Sequence, residues 1–188
     1  MTVNIILDVD TGVDDAFAIL YAIRNPEITV LGITCVDGNT SLTNVCQNTL
    51  QVLDMAGASS IPVAAGANEP LMGTAGDLGD ASQVHGGDGL AGRSNSGSSR
   101  SLDSRHAIEL IRDLVEGSKD KVTLVPIGPL TNISLFISTF PETAKKLERL
   151  MSMGGSASGG KVTAAAEFNV CLLYRSYLSD EYKCVWLL

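Results

Sequence analysis

Two features are missing from this 188-residue sequence and a third is scarce, and each of these narrows the possible functions. No CxxC pair occurs, so the sequence indicates neither a zinc motif nor a disulfide framework, and we expect reduced thiols at Cys35, Cys46, Cys171 and Cys184. No apolar run approaches the roughly 20 residues that a membrane span requires. Basic residues are scarce, since 13 lysines and arginines stand against 21 acidic residues, for a formal charge of −8. Such a surface is unsuited to nucleic acid or to anionic lipid.

The first residues run directly into a predicted strand, without a basic stretch or a cleavage-type segment before it. We therefore expect a soluble protein of the cytosol. A composition of 45% hydrophobic and 18% charged residues is ordinary for a globular protein, and the length suffices for one sizeable core. The chain is expected to fold as one unit.

Short apolar runs rich in valine, isoleucine and leucine alternate with longer stretches of helical periodicity. This alternation predicts an α/β protein with an open, mostly parallel sheet that carries helices on both faces. The predicted strands are Val3 to Leu7, Thr29 to Val36, Ile61 to Ala65, Val122 to Ile127 and Leu150 to Met153.

Two helices between these strands are predicted from apolar residues at helical spacing. The first spans residues 42–56 and ends near Gly57. The second is predicted to begin with Asp103 or Ser104 as its cap and to end at Gly117.

A polar or glycine-rich segment follows each predicted strand. In open α/β sheets, ligands bind beyond the carboxyl ends of the strands, so these segments are expected to converge on one crevice. Residues 68–101 form a long exception, a loop loaded with glycine, serine and aspartate, and a loop of that length is usually functional or disordered. Within it, residues 84–90 around His85 are the one segment with side chains suited to a functional role, and residues 93–100 are predicted to be a flexible linker.

Four aspartates lie within eight residues at the end of the first strand: Asp8, Asp10, Asp14 and Asp15. Ionised carboxylates at about 4 Å repel by roughly 4 kcal/mol per pair at an effective dielectric constant of about 20. Capping of the following helix would explain one or two of them, since each gains only about 0.3–1 kcal/mol there. The cluster therefore predicts a metal site, and its oxygen-only ligands indicate a hard cation, Ca²⁺ or Mg²⁺.

The segment from Asp8 to Ala16 resembles the DxDxGxDDAxA signature of the inosine-uridine-preferring nucleoside hydrolases, calcium-dependent enzymes that cleave the N-ribosidic bond of nucleosides. Further blocks resemble the same family in the right order: Gly32 to Thr34 with Gly38 and Asn39, Val125 to Asn132, Met151 to Gly155, and Ala166 to Asn169. The resemblance covers Met1 to about Val170. It implies the nucleoside-hydrolase fold, which is Rossmann-like.

The resemblance implies roles for individual residues. Asp10 and Asp15 correspond to calcium ligands, with the backbone carbonyl of Ile127 as a third, and Asp10 also corresponds to the catalytic residue that takes a proton from the attacking water. Asp8 is expected to be a structural acceptor, and His85 to border the base. The positions that hold the ribose hydroxyls correspond to Asp14, Asn39, Met153, Glu167 and Asn169. From the residues alone, His85 could equally be a surface residue, Glu167 an ordinary surface acid and Met153 a core residue.

The sequence departs from the family pattern after Asn169. Family members are longer and continue into an Asp-Pro-Glu-Ala-like helix start, whereas this chain continues as residues 170–174. A further aspartate ligand and a histidine implicated in leaving-group protonation are absent, and Lys161 stands where many relatives have a sugar-binding asparagine. We therefore expect residues 1–170 to be the N-terminal part of a nucleoside hydrolase domain and residues 171–188 to be a divergent tail, from splicing or a frameshift. The truncated fold is expected to be marginally stable and impaired in hydrolysis.

Two other functions remain open at this point. One is an inactive isoform that binds ribose or calcium and acts as a regulator, for example by joining full-length subunits in a homo-oligomer. The other is a haloacid-dehalogenase-like phosphohydrolase that uses a strand-terminal DxD around Mg²⁺. That motif requires threonine two residues after the second aspartate, where this chain has Gly12. The preferred nucleobase does not follow from the sequence.

Overall fold

A six-stranded, fully parallel sheet forms the centre of the computed structural model, which describes residues 2–71, 82–94, 98–154, 169 and 184–187. Its strand order is β3-β2-β1-β4-β5-β6. The strands are β1 (Val3–Val9), β2 (Ile28–Cys35), β3 (Val63–Ala65), β4 (Val122–Pro126), β5 (Arg149–Met153) and β6 (Cys184–Leu187). Parallel neighbours need crossover connections, and helices supply most of them.

The described helices differ in length. The long ones are α1 (Val13–Arg24), α2 (Leu42–Ala56), α4 (Ala107–Gly117) and α5 (Thr131–Thr139), and the short ones are α3 (Ser82–His85) and α6 (Pro141–Ala144). Helix α2 ends at Gly57, whose φ of 68° is the left-handed conformation that favours glycine. None of the helices in the described ranges combines the length and the apolar character needed to cross a membrane.

Alternate residues of β1 point to opposite faces of the sheet. Ile5, Leu7 and Val9 belong to a buried cluster with residues of α1 and α2. Ile6 belongs to a second buried cluster with residues of α4 and α5, including Phe136. Because side chains alternate across a strand, these two clusters lie on the two faces, and the predicted α/β sheet with helices on both faces is confirmed.

The five predicted strands are all present, with ends that shift by up to two residues. The shift reaches two residues at the end of β1, which extends to Val9 instead of Leu7, and at the start of β3, which begins at Val63 instead of Ile61. Pro62 precedes it and has no N–H for a ladder hydrogen bond, although its carbonyl accepts from the Ile33 N–H at 3.0 Å.

The predicted cap of α4 is wrong. His106 occupies the cap position, where its side chain accepts from the Ile108 N–H at 3.4 Å and Glu109 bonds back to the His106 N–H. Asp103 is engaged elsewhere, since its own N–H donates to the Val63 carbonyl and its carboxylate binds Arg105. The carboxylate was therefore not free to cap the helix.

Part of the C-terminal segment belongs to the sheet. Residues 184–187 form β6 and pair in parallel with β5, from Leu150↔Cys184 to Met153↔Leu187. The sequence pattern did not predict this strand, and the proposed division at residue 170 stays a prediction. Among the described residues, Cys35 and Cys46 are buried and free, and the prediction of reduced thiols at Cys171 and Cys184 stays a prediction.

Candidate active site

Asn132 ties together the carboxyl ends of three strands. Its side chain is fully buried at the start of α5, and its Nδ2 donates to Asp8 Oδ1 at 2.8 Å and to the Cys35 carbonyl at 3.0 Å. Its Oδ1 accepts from the Ala67 N–H at 2.9 Å. A Cβ at Gly66 would collide with this amide, so glycine is needed there. The predicted convergence of strand ends is thus built around one asparagine.

Asp8 faces the interior of this junction. Thr34 Oγ1 donates to Asp8 Oδ1 at 2.5 Å, and Asp8 Oδ2 is buried without a hydrogen-bond partner among the described residues. Burial raises the pKa of Asp8 to about 7, and the hydrogen bonds from Thr34 and Asn132 oppose that rise. These contacts support the expectation that Asp8 is a structural acceptor.

Asp10 lies just beyond β1 and is 2% exposed. Its Oδ2 accepts from the Asn39 N–H at 2.9 Å. Two glycines leave room for it: a Cβ at Gly38 would strike the carboxylate, and one at Gly128 would lie 2.8 Å from the Asp10 nitrogen. The backbone therefore fits closely around this carboxylate.

Asp15 lies in the first turn of α1 and is 3% exposed. Its Oδ2 accepts from the Gly12 N–H at 3.0 Å, and its Oδ1 is buried with no partner in the described part of the chain. Asn39 Nδ2 lies 3.4 Å from Asp15 Oδ2 and 3.3 Å from the Asp10 carbonyl oxygen. Asn39 thereby links the segment of Asp10 to the carboxylate of Asp15.

The two carboxylates resist ionisation in the bare protein. Burial, followed by the charge of Asp15, raises the pKa of Asp10 well above its ordinary value. Burial, with a contribution from the charge of Asp14, raises the pKa of Asp15 to about 7. A cation beside them would favour the ionised forms, because an opposite charge offsets both desolvation and mutual repulsion.

His85 lies against the start of α1 with its side chain 13% exposed. Its Nδ1 accepts from the Val13 N–H at 3.4 Å and lies 3.7 Å from Asp14 Oδ1. A Cβ at Gly12 would stand 2.7 Å from this Nδ1. Asp14 is 70% exposed at its side chain, so this pair forms the open rim of the site.

Asn169 joins the ends of β4 and β5. Its Nδ2 donates to the Ile127 carbonyl at 3.0 Å and to the Met153 carbonyl at 3.1 Å. It also lies 3.2 Å from Met153 Sδ. The Ile127 carbonyl keeps a second lone pair, because a carbonyl oxygen has two.

The structure brings most of the predicted site residues to one end of the sheet. These are Asp10, Asp14, Asp15, Asn39, His85, Ile127, Met153 and Asn169. Glu167 and Lys161 lie outside the described residues. In the ranges described, no group of three or more His, Cys, Asp or Glu side chains is arranged to hold a metal.

Sequence reasoning gave no role to Thr34, Asn48 or Asn132, all of which are fully buried. Thr34 and Asn132 lay within blocks that carried the resemblance, so they were quoted without a function. Asn48 belongs to no motif, and its one signal in the sequence is its place among the apolar residues of α2. A buried asparagine inside an apolar helix face is the cue that would have identified it.

Residues 5–172 match the family model for inosine-uridine preferring nucleoside hydrolase. The pyrimidine-specific ribonucleoside hydrolase RihA of Shewanella oneidensis is 42% identical over 170 residues, which are 90% of this chain and 52% of that protein. The inosine-uridine preferring nucleoside hydrolase of Leishmania major is 43% identical over 169 residues, 89% of this chain and 53% of that protein.

Among solved structures, the purine-preferring ribonucleoside hydrolase from Gardnerella vaginalis superposes with a TM-score of 0.83 at 30% identity, covering 90% of this chain and 54% of that one. The chain thus spans about half the length of the relatives that it matches.

Proposed function

The chain belongs to the inosine-uridine preferring nucleoside hydrolase family, and we propose that its site hydrolyses the N-ribosidic bond of ribonucleosides to ribose and a free base. The observation that carries this proposal is the pair of buried carboxylates, Asp10 and Asp15, joined by Asn39 at the carboxyl end of the sheet. A buried acidic pair is costly to a fold unless it binds something cationic. The transition state of this reaction is an oxocarbenium-like, positively charged sugar.

Asp10 is the proposed general base. Its Oδ2 accepts from the Asn39 N–H, which orients the carboxylate at the carboxyl end of β1. In the reaction, a water oxygen bonds to the anomeric carbon of ribose, its proton passes to Asp10, and the C–N bond electrons leave with the base. The base then takes up a proton from water or from a nearby donor.

We propose that Asp10 and Asp15 also hold a divalent cation, with the Ile127 carbonyl as a further ligand, and that the ion is Ca²⁺. The buried Asp15 Oδ1, which has no partner among the described residues, fits such an ion, as does the all-oxygen donor set. A divalent cation bound there would make the attacking water more acidic. The raised pKa values of both aspartates support this assignment, since they mark carboxylates without a compensating charge.

The ribose is proposed to lie between the rim and the ends of β4 and β5. Asp14 is exposed and offers an acceptor on one side, and Met153 and Asn169 lie on the other. The amide of Asn39 lies between the two aspartates. Acceptors aimed at adjacent hydroxyls would select ribose over deoxyribose, because an unmatched buried polar group costs about 1–3 kcal/mol. Glu167 keeps its proposed sugar-binding role.

The purified 188-residue chain provides the test. Release of reducing sugar from inosine, uridine, cytidine and adenosine is measured with Ca²⁺, and again after chelation. We expect ribose release that depends on the cation and that falls by about 10³-fold in Asp10→Asn. No release from any nucleoside, with calorimetry still detecting ribose or Ca²⁺, would favour the inactive regulatory isoform instead.

The phosphohydrolase alternative receives no support from the structure. Thr11 Oγ1 lies 2.6 Å from Thr49 Oγ1 in a fully buried pair, so it does not face the crevice. The relatives' names cover pyrimidine-specific, inosine-uridine preferring and purine-preferring enzymes, so family membership leaves the base open. Cytosolic location and homo-oligomeric assembly of a full-length form stay predictions.

A further inference from the structure

Asn48 connects two segments that meet at the active site. It lies on α2, its side chain is fully buried, and both its amide donors and its amide oxygen form hydrogen bonds. Nδ2 donates to the Thr11 carbonyl at 3.2 Å and to the Asp88 carbonyl at 2.8 Å, and Oδ1 accepts from Ser94 Oγ at 2.8 Å. Thr11 follows Asp10 directly, while Asp88 and Ser94 follow His85 along the chain.

We propose that Asn48 is a positioning residue that fixes residues 86–94, here called the His85 loop, and thereby holds His85 over the base side of the site. That His85 borders the base is what the family resemblance implies, and it rests on the proposed function, whereas the anchoring of the loop rests on the contacts alone. Asn48 touches no reacting group and acts through the backbone of the loop.

The His85 loop is folded tightly enough to transmit this anchoring. The Asp88 carboxylate accepts from the N–H groups of Leu90, Gly92 and Ser94 at 3.1, 2.9 and 3.0 Å. The Ala91 N–H donates to the His85 carbonyl at 2.7 Å, which closes the loop onto the residue that it positions. A loop tied in this way moves as a unit, so an anchor at residue 88 restrains residue 85.

Gly89 marks how closely the loop approaches α2. Its φ of +82° is left-handed, and a Cβ there would lie 2.9 Å from Asn48 Nδ2 and 2.8 Å from Thr40 Cγ2. Thr40 Oγ1 also donates to the Gly87 carbonyl at 3.1 Å. The loop backbone is thus seated against the helix, with Asn48 at the buried centre of the contact and Thr40 at its exposed edge.

The seated loop places the His85 side chain against the start of α1. Its imidazole is within hydrogen-bond range of the Val13 N–H and close to Asp14, which is a proposed ribose ligand. Since Asn48 also binds the Thr11 carbonyl, it holds both sides of this contact, the loop and the segment before α1, in one register. The segment before α1 has a second tie, since Thr11 Oγ1 lies 2.6 Å from Thr49 Oγ1. Loss of Asn48 should therefore loosen the His85 loop on the base side and leave the ribose side in place.

Asn48→Asp is the principal variant, because it keeps the volume and the acceptor for Ser94 but replaces two donors by an oxygen facing two carbonyls. Asn132→Asp is the matched control, since Asn132 is an equally buried asparagine with three hydrogen bonds that does not touch the His85 loop. Ser94→Ala is a milder second variant that removes one bond at a half-buried position, in case Asn48→Asp does not fold.

Hydrogen exchange of the Leu90, Gly92 and Ser94 amides tests the anchoring without any need for activity. We expect exchange about tenfold faster in Asn48→Asp and about threefold faster in Ser94→Ala, the loss expected for one or two net hydrogen bonds. In Asn132→Asp these amides should exchange at the wild-type rate. Unchanged protection in both Asn48→Asp and Ser94→Ala would overturn the proposal.

The role toward substrate is tested with the KM for inosine and the inhibition constant of free ribose. Asn48→Asp should raise the KM severalfold and leave ribose inhibition unchanged, and its effect should vanish in a His85→Ala background, since the two residues act as one unit. Equal effects with and without His85 would overturn the link to His85. An inactive wild-type chain would count against the proposed hydrolysis, and inosine and ribose affinities from calorimetry would then replace the two kinetic constants.

Discussion

Aspartates occupy two regions of this molecule under opposite conditions. At the candidate site, Asp8, Asp10 and Asp15 are almost fully buried, and burial raises the pKa of each. Beside α4, Asp103 and Asp113 share Arg105, which donates Nε and Nη2 to Asp103 at 2.8 and 2.7 Å and Nη1 to Asp113 at 2.9 Å. The pKa of Asp103 falls to about 2 there.

The difference separates a functional arrangement from a structural one. The surface carboxylates are neutralised by this chain's own arginine, so they favour the folded state. The buried carboxylates have hydrogen bonds that only partly offset their desolvation, so they oppose folding unless a ligand compensates. Buried groups that oppose folding are expected at functional sites, where they are retained because ligand binding or catalysis requires them.

Replacing one aspartate in each region should sharpen the contrast most strongly. Asp10→Asn is expected to lower nucleoside hydrolysis by about 10³-fold, as for loss of a general base, and to raise the free energy of unfolding by about 1 kcal/mol in chelator, because it removes a buried charge. Asp113→Asn should leave hydrolysis unchanged and slightly lower stability. Ribose release and urea unfolding measure the two effects.

The opposite signs in stability are the decisive part of this comparison. If Asp10→Asn lowered the free energy of unfolding in chelator as much as truncation of a core side chain does, Asp10 would be a structural residue. The comparison of the two regions would then fail, even if activity were also lost.

Two glycines provide a second test, which measures how tightly the backbone packs around Asp10. Gly128→Ala would place a Cβ 2.8 Å from the Asp10 nitrogen and 3.0 Å from Asp10 Oδ1, so we expect a loss of about 1–3 kcal/mol in stability together with loss of hydrolysis. Gly117→Ala, at the end of α4, meets nothing within 4 Å and should be neutral or stabilise by up to about 0.5 kcal/mol. Urea unfolding of both variants checks this. Equal stabilities of Gly128→Ala and Gly117→Ala would mean that the backbone around Asp10 can accommodate an added methyl group.

The sequence predicted the sheet well because its signals are local. Continuous apolar runs in β1, β2 and β4 and the helical periodicity of α2 depend on neighbours in the chain, and so does Gly57 as the end of α2. The cap of α4 was mistaken because Asp103 pairs with the edge of β3, a contact between distant parts of the chain. The strand β6 was missed for the same reason, since only pairing with β5 identifies it.

At the site, sequence analysis identified the charged residues and Asn39, but it gave no role to Asn132 or Asn48, which hold the surrounding segments in place. Asp10 and Asp15 followed from the density of carboxylates and from the resemblance. Asn132 and Asn48 bind backbone carbonyls of remote segments, and no spacing along the chain encodes such partners. Their roles require the three-dimensional arrangement.

The smallest expected effect concerns the surface region at acid pH. The folded pKa of Asp103 is about 2, below its ordinary value of 3.8, so the folded state binds this proton less readily than the unfolded state. Its contribution to stability is therefore complete above about pH 4 and is lost as the pH falls through about 2. Arg105 is 38% exposed at its side chain, so solvent screening keeps the contribution below about 1 kcal/mol.

Arg105→Gln should accordingly be less stable than the wild type at pH 4.5, and the gap should close as the pH falls toward 2. Arg24→Gln is the matched control, because Arg24 is an exposed arginine in the last turn of α1. Its difference from the wild type should stay constant over the same range. Urea midpoints at pH 4.5, 3 and 2 give the result. If the stability difference between Arg105→Gln and the wild type did not shrink in acid, Arg105 would stabilise the fold through packing and not through its charge. The contrast between surface carboxylates that favour folding and buried carboxylates that oppose it would then fail.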